Sequence, residues 1–238
     1  MNDLPIFALL LIGCALLTAP TGLTFDAATH TYRLDGVVVP SVTQILRASG
    51  LIDFTGIPES ILEAARVRGT IVHQAIALFN EGDLDLEQFA VDFPEYLPYL
   101  AAWQDFCRQR HFTALLTECR IASRRYQVAG TLDCLGELDG EPVLLDFATG
   151  NPADTAKDLQ TSGYFVLALE WAEYADADPR LKAFFTRHTL LRRYGVRLEK
   201  TGAFSLHPYT NPSDMRQFLA LVEAQRIISA RRARVEVA

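Results

Sequence analysis

Apolar and polar residues recur along this chain with two periods, and the changes of period divide it into elements. Ile61, Ala65, Val72, Ile76 and Phe79 fall near helical spacing and predict a long helix over residues 58–80, ended by Glu81-Gly82-Asp83. Tyr96, Leu100, Trp103 and Cys107 make a second helical stripe over residues 95–111. Three strand-like runs follow at 115–123, 126–138 and 142–147, with a tight turn at Asp139-Gly140 between the last two. The third run is almost wholly apolar, as a central strand buried on both faces requires. Residues 158–174 predict another helix. Residues 184–194 and 196–207 suit a strand pair broken at Gly195 and Gly202, and 212–235 a closing helix that turns arginine-rich. Near the start, Asp35-Gly36 separates two short β-type runs, and Ser41 is placed to cap a short helix after them.

This order predicts an α/β fold. No repeat or low-complexity linker interrupts residues 23–238, which read as a single domain. A hairpin and helices fill 23–112, and the core sheet with its helices fills 113–238. The first 22 residues stand apart. Residues 5–19 are almost unbroken in apolar side chains, yet this run is shorter than the ~20 residues of a membrane-spanning helix. The start, Met1-Asn2-Asp3-Leu4, carries an acid and no Lys or Arg, unlike a secretory signal. A cytoplasmic protein is expected, with anchoring or export through residues 5–19 as the alternative.

Composition narrows the function classes. The 238 residues are 50% hydrophobic and 21% charged, which excludes a disordered chain and leaves ample material for a core. A net charge of -7 argues against a generally basic nucleic-acid coat but not against a local basic groove. Arginines do cluster, at 120, 124 and 125, at 187, 192, 193 and 197, and at 226, 231, 232 and 234. The four cysteines, Cys14, Cys107, Cys119 and Cys134, show no C-x-x-C spacing and read as reduced residues.

The informative chemistry lies in Gly130-Thr131-Leu132-Asp133 and Leu145-Asp146-Phe147-Ala148-Thr149-Gly150. Antiparallel pairing across the Asp139-Gly140 turn can set Asp133 and Asp146 on neighbouring positions. Two buried carboxylates repel each other unless a divalent cation shares them, and oxygen ligands select Mg²⁺ or Mn²⁺ over zinc. Such a centre can activate water and neutralise a phosphodiester transition state.

These segments resemble a family. Arg68-Gly69-Thr70-Ile71-Val72-His73, Glu118, the Asp133 segment, the Asp146 segment, and Gln160 with Tyr164 match, in order, the motifs of the PD-(D/E)XK nucleases, in the RecB-like exonuclease branch common in phages. The resemblance spans residues 23–221. It implies a restriction-endonuclease-like core, a mixed central β-sheet flanked by helices, and a Mg²⁺- or Mn²⁺-dependent nuclease acting on DNA in recombination or repair. It implies metal ligation by His73, Asp133, Asp146 and the Phe147 carbonyl. Glu118 would be a ligand or a water-orienting group, and Arg68, Gln160 and Tyr164 would contact DNA. A phage recombination or single-strand-binding protein is the partner class implied. No iron–sulfur cluster is expected, since nothing after Cys134 is cysteine.

One position departs from the family, which places a lysine where this chain has Ala148. That lysine orients the attacking water and offsets charge on phosphorus, and losing such a group costs on the order of 10²–10³ in rate. Three accounts compete: an engineered inactivating substitution, a degenerate nuclease that keeps metal and DNA binding, or a lysine supplied from elsewhere, with Lys157 the candidate. From sequence the first two are preferred, so the chain as written is expected to be catalytically impaired. The non-catalytic alternative is a DNA-binding or regulatory protein on a nuclease scaffold.

Overall fold

A computed structural model describes residues 19–150, 156–188 and 190–236, with side chains as far as residue 232. The cysteine at position 14 and nearly all of the apolar run 5–19 lie outside these residues. Among the described residues no helix is long and apolar enough to cross a membrane.

The molecule is α/β. A small antiparallel sheet is formed by β1 (Leu23–Asp26), β2 (Thr31–Leu34) and β3 (Val37–Val39). The main sheet has five strands in the order β4 (Thr113–Ser123), β5 (Val128–Leu138), β6 (Glu141–Ala148), β7 (Arg192–Leu198) and β8 (Phe204–Tyr209). Only β6 and β7 run parallel, so the sheet is mixed. The crossover between them carries α5 (Lys157–Ala172) and α6 (Pro179–Arg187), as a parallel connection requires. The other helices are α1 (Val42–Ala48), α2 (Glu59–Glu81), α3 (Leu86–Asp92), α4 (Leu97–Gln109) and α7 (Asp214–Glu236).

The sheet separates two cores. Leu132, Leu135 and Leu144 face Tyr164, Leu167 and Trp171 of α5, with α1, α6 and α7 closing that layer. Cys134, Val143, Leu145, Phe147 and Val196 face Val72 and Ile76 of α2 and Trp103 and Phe106 of α4. Strand β6 therefore alternates strictly between two buried layers, which is why its sequence reads as continuously apolar. The small sheet packs Tyr32, Leu34 and Val39 on Ala122 and Ala129 of the main sheet.

Local signals set the helix ends near the site. Ser41 accepts from the Gln44 amide at 3.1 Å while the Gln44 side chain accepts from the Ser41 amide at 2.8 Å, a complete capping box for α1. Helix α2 stops at Gly82, which takes φ 78°, a conformation only glycine adopts without cost.

The helix expected over 95–111 is present as α4, after a tight turn at Pro94–Tyr96. Two sequence expectations give way, and one helix was not expected: α3, with Phe89 its one buried residue, has too thin an apolar stripe to be visible. The strand expected over 184–194 begins as α6. Asp178 accepts from the Arg180 amide at 2.7 Å and Pro179 opens the helix, a start signal that outweighs the β preference of the Phe184-Phe185 pair. Gly195 does not break a strand. It lies inside β7 because a Cβ there would fall 2.5 Å from the Tyr209 hydroxyl.

Candidate metal centre

Strands β5 and β6 pair from Leu138↔Glu141 to Cys134↔Leu145, where their ladder ends, and β5 continues with β4 alone. Asp133 and Asp146 are the next residues on either side of that end. In place of a ladder bond, the Asp133 carboxylate accepts the Phe147 amide proton at 2.7 Å. Strand parity also changes here. Leu116 and Cys119 share the α5-side core, as do Leu132 and Leu135, although residues three apart on a regular strand face opposite ways. In β4 the change falls at Glu118, which takes φ 48°. Left-handed backbone in a non-glycine residue costs on the order of 1–3 kcal/mol and persists only where surroundings impose it.

Those surroundings are visible. Trp103 donates to the Asn80 side chain at 3.0 Å, and Asn80 donates to Thr117 Oγ1 at 2.9 Å, tying α2 and α4 to β4 beside Glu118. The kink turns the Glu118 carboxylate toward α2, where His73 Nδ1–H donates to it at 2.8 Å. The same Nδ1 lies 3.7 Å from Asp133 Oδ1. The His73 ring sits edge-on to Phe147, centroids 5.3 Å apart, and Phe147 in turn packs on Trp103. One ligand atom from each of His73, Glu118 and Asp133 lies within 4.8 Å of the others.

Asp146 is outside that triplet and faces the α5 layer. There Lys157, at the start of α5, brings its Nζ to 2.6 Å from Asp146 Oδ2. Asp146 is 1% exposed, and its Oδ1 has no hydrogen-bond partner among the described residues. Ala148, two residues along β6, ends the strand opposite Arg197 of β7. Arg68 donates to Thr149 Oγ1 at 3.1 Å and so lies at the exit of β6. Gln160 donates to the Tyr164 hydroxyl at 3.2 Å, and Tyr164 is buried on Gly130, where a Cβ would fall 2.8 Å from its ring. Tyr164 thus supports the strand that carries Asp133.

Electrostatics follow from this geometry. Burial pushes the Asp146 carboxyl up to about 6, against the opposing pull of Lys157 and with added repulsion from Asp133. Burial likewise raises Asp133, with His73 lowering it and Glu118 raising it. For His73 burial alone acts downward, but the charge of Asp133 and the hydrogen bond and charge of Glu118 outweigh it and lift the imidazole to about 9. Three carboxylates thus share one ammonium and one imidazole. A nitrogen donor, a surplus of carboxylate oxygens and an unpartnered buried Oδ1 make a donor set that fits a hard divalent cation.

Sequence reading did not find Tyr32, whose hydroxyl lies 2.8 Å from Thr131 Oγ1, two residues before Asp133. Only the docking of a separate sheet brings it there. Several of the arginines clustered in the sequence pair with carboxylates. Arg193 is buried on Asp214, and Arg124 pairs with Asp35 and Asp176. Arg192, Arg197 and Arg226 pair with Glu141, Glu199 and Glu223. A scan against protein-family models finds no match for this chain, and a search of the curated proteins finds none either.

Proposed function

We propose that this protein is a metal-dependent deoxyribonuclease of the PD-(D/E)XK type, with His73, Glu118, Asp133 and Asp146 holding Mg²⁺ or Mn²⁺ and Lys157 serving in place of the motif lysine. The observation that carries the reading is the ion pair of Lys157 with Asp146 at the place where β5 leaves β6. It supports the third account of Ala148 over engineered or natural loss: the amine arrives from the helix that follows the strand. A cation held there would supply Lewis acidity and a water of lowered pKa. The chain's own residues do the rest. Asp146 and Asp133 fix the charge on which the site is built, and the Phe147 amide pins Asp133. Glu118 orients His73, and the Lys157 ammonium stands where it can hydrogen-bond attacking water and offset negative charge on the phosphate. Arg68, beside Thr149, is placed to hold a phosphate next to the scissile one.

The test is cleavage of end-labelled linear DNA in Mg²⁺ or Mn²⁺ by the chain as it stands, by Lys157→Met and by Lys157→Met combined with Ala148→Lys. Cutting by the unmodified chain, loss in Lys157→Met and recovery in the double variant would support the reading. A folded, metal-bound protein that binds DNA but cuts nothing, with or without Ala148→Lys, would leave the non-catalytic DNA-binding alternative, which Ala148 favours.

A further inference from the structure

One stripe of the surface is neither core nor metal centre. Arg47, at the end of α1, places its guanidinium 5.0 Å over the Phe54 ring, and Phe54 is 38% exposed. The Arg47 charge also acts on His30, whose imidazole is held below its usual value by partial desolvation and then by that charge. The His30 ring meets Phe25 edge-on at 5.2 Å, and Arg120 lies 5.0 Å over the Phe25 ring. Arg120 is exposed and sits opposite Thr131, two residues from Glu118. Guanidinium groups thus lie over rings at two places, Arg47 on Phe54 and Arg120 on Phe25 beside His30, and the second lies two residues along β4 from Glu118. Among the described residues neither Arg47 nor Arg120 forms a salt bridge, unlike Arg124 and Arg193.

We infer that this stripe is a platform for single-stranded DNA, leading an unpaired strand toward Glu118 and Asp133. Unneutralised guanidinium groups recognise phosphate, while the exposed Phe54 and His30 rings can recognise the faces of bases. Those faces are free only in a single strand, because a duplex hides them by stacking. The stripe thus selects strand state by pairing guanidinium groups with rings, whereas Arg124 and Arg193 are held by carboxylates. This rests on the nuclease reading for its direction, toward the carboxylates, but not for the binding itself.

The experiment measures anisotropy of a labelled 20-nucleotide single strand and of the matching blunt duplex, in EDTA, with the full chain. Arg47→Ala combined with Arg120→Ala is expected to weaken single-strand binding at least 10-fold and duplex binding by less than 3-fold. The salt slope for the single strand should fall by about 1.4, two phosphate contacts at about 0.7 each. Phe54→Ala should relieve the quenching of a 2-aminopurine placed in the bound strand. Arg47→Lys with Arg120→Lys keeps both charges at exposed positions and should recover at least part of the affinity, which separates lost recognition from lost folding. Unchanged single-strand affinity in the alanine pair, or equal loss on both substrates, would overturn the platform. Cleavage in Mn²⁺ is followed in parallel. A protein that cuts while the alanine pair binds normally loses the platform alone. One that binds through the stripe but never cuts loses the nuclease reading alone.

Discussion

Two clusters of charge meet the start of α5, and they are built on opposite principles. At one, Arg193 meets Asp214 at 2.6 Å and also donates to the carbonyl of Asp158 at 2.5 Å and to Thr161 at 3.3 Å. One cation faces one anion, and its remaining N–H groups find neutral acceptors that tie the start of α5 to the start of α7. At the other, Glu118, Asp133 and Asp146 face Lys157 and His73, so anions outnumber permanent cations three to one. A balanced pair can be retained for architecture alone. An unbalanced one, held by a kinked strand and an open ladder end, is costly unless a cation completes it.

Breaking the two clusters should therefore have opposite signatures. The largest effects are expected from Arg193→Met and Asp133→Asn. Arg193→Met strands the buried Asp214 carboxylate and should destabilise the fold by about 3–5 kcal/mol, read by denaturant unfolding. Asp133→Asn should leave unfolding in EDTA within about 1 kcal/mol of the unmodified chain, since it removes a repelled charge, while lowering DNA cleavage by on the order of 10³ or more. If Asp133→Asn unfolds the protein as Arg193→Met does, the distinction between strut and site fails.

Next in size is Lys157→Met, expected to cost on the order of 10²–10³ in cleavage rate. A loss confined to apparent metal or DNA affinity would assign Lys157 to charge balance rather than to the reaction.

A smaller effect lies in pH. Asp146 and His73 both bind their protons more tightly in the folded chain than in the unfolded one. Their contribution is full at low pH and lost as pH rises, Asp146 between 3.8 and about 6 and His73 between 6.5 and about 9. In EDTA the thermal midpoint should fall across these windows, each group giving on the order of 3 kcal/mol. Saturating Mg²⁺ favours the deprotonated ligands and should flatten the slope, adding about 2.7 kcal/mol at one hundred times its dissociation constant. A midpoint that is insensitive to Mg²⁺ at every pH would argue that no cation completes the cluster.

Much of the scaffold was legible in the chain. Strand β6 appeared because burial on two faces demands continuous apolar sequence. The long helix α2 appeared because its buried side chains recur at helical spacing, and the β5–β6 turn appeared as Asp139-Gly140. The short helices α3 and α6 were hidden, since α3 buries a single side chain and α6 relies on a cap rather than a stripe. Of the candidate site, Asp133, Asp146, His73 and Glu118 were singled out from the order of residues along the chain, but their arrangement was not visible there. The positive φ of Glu118 has no signature in residue type, and the end of the β5–β6 ladder depends on how β5 divides its pairing between two neighbours.

What the sequence determined by itself is the order of the longer helices and of the central strands, and the identity of the acidic side chains, because periodicity and residue type are local properties. What only the tertiary structure decided is who meets whom. Lys157 stands eleven residues after Asp146 along the chain and 2.6 Å from it in space. Phe25 meets Arg120, two residues along β4 from Glu118, only because a separate small sheet docks on the main one. Those proximities are fixed by the packing of two buried layers on a mixed sheet, which no stretch of sequence read alone contains.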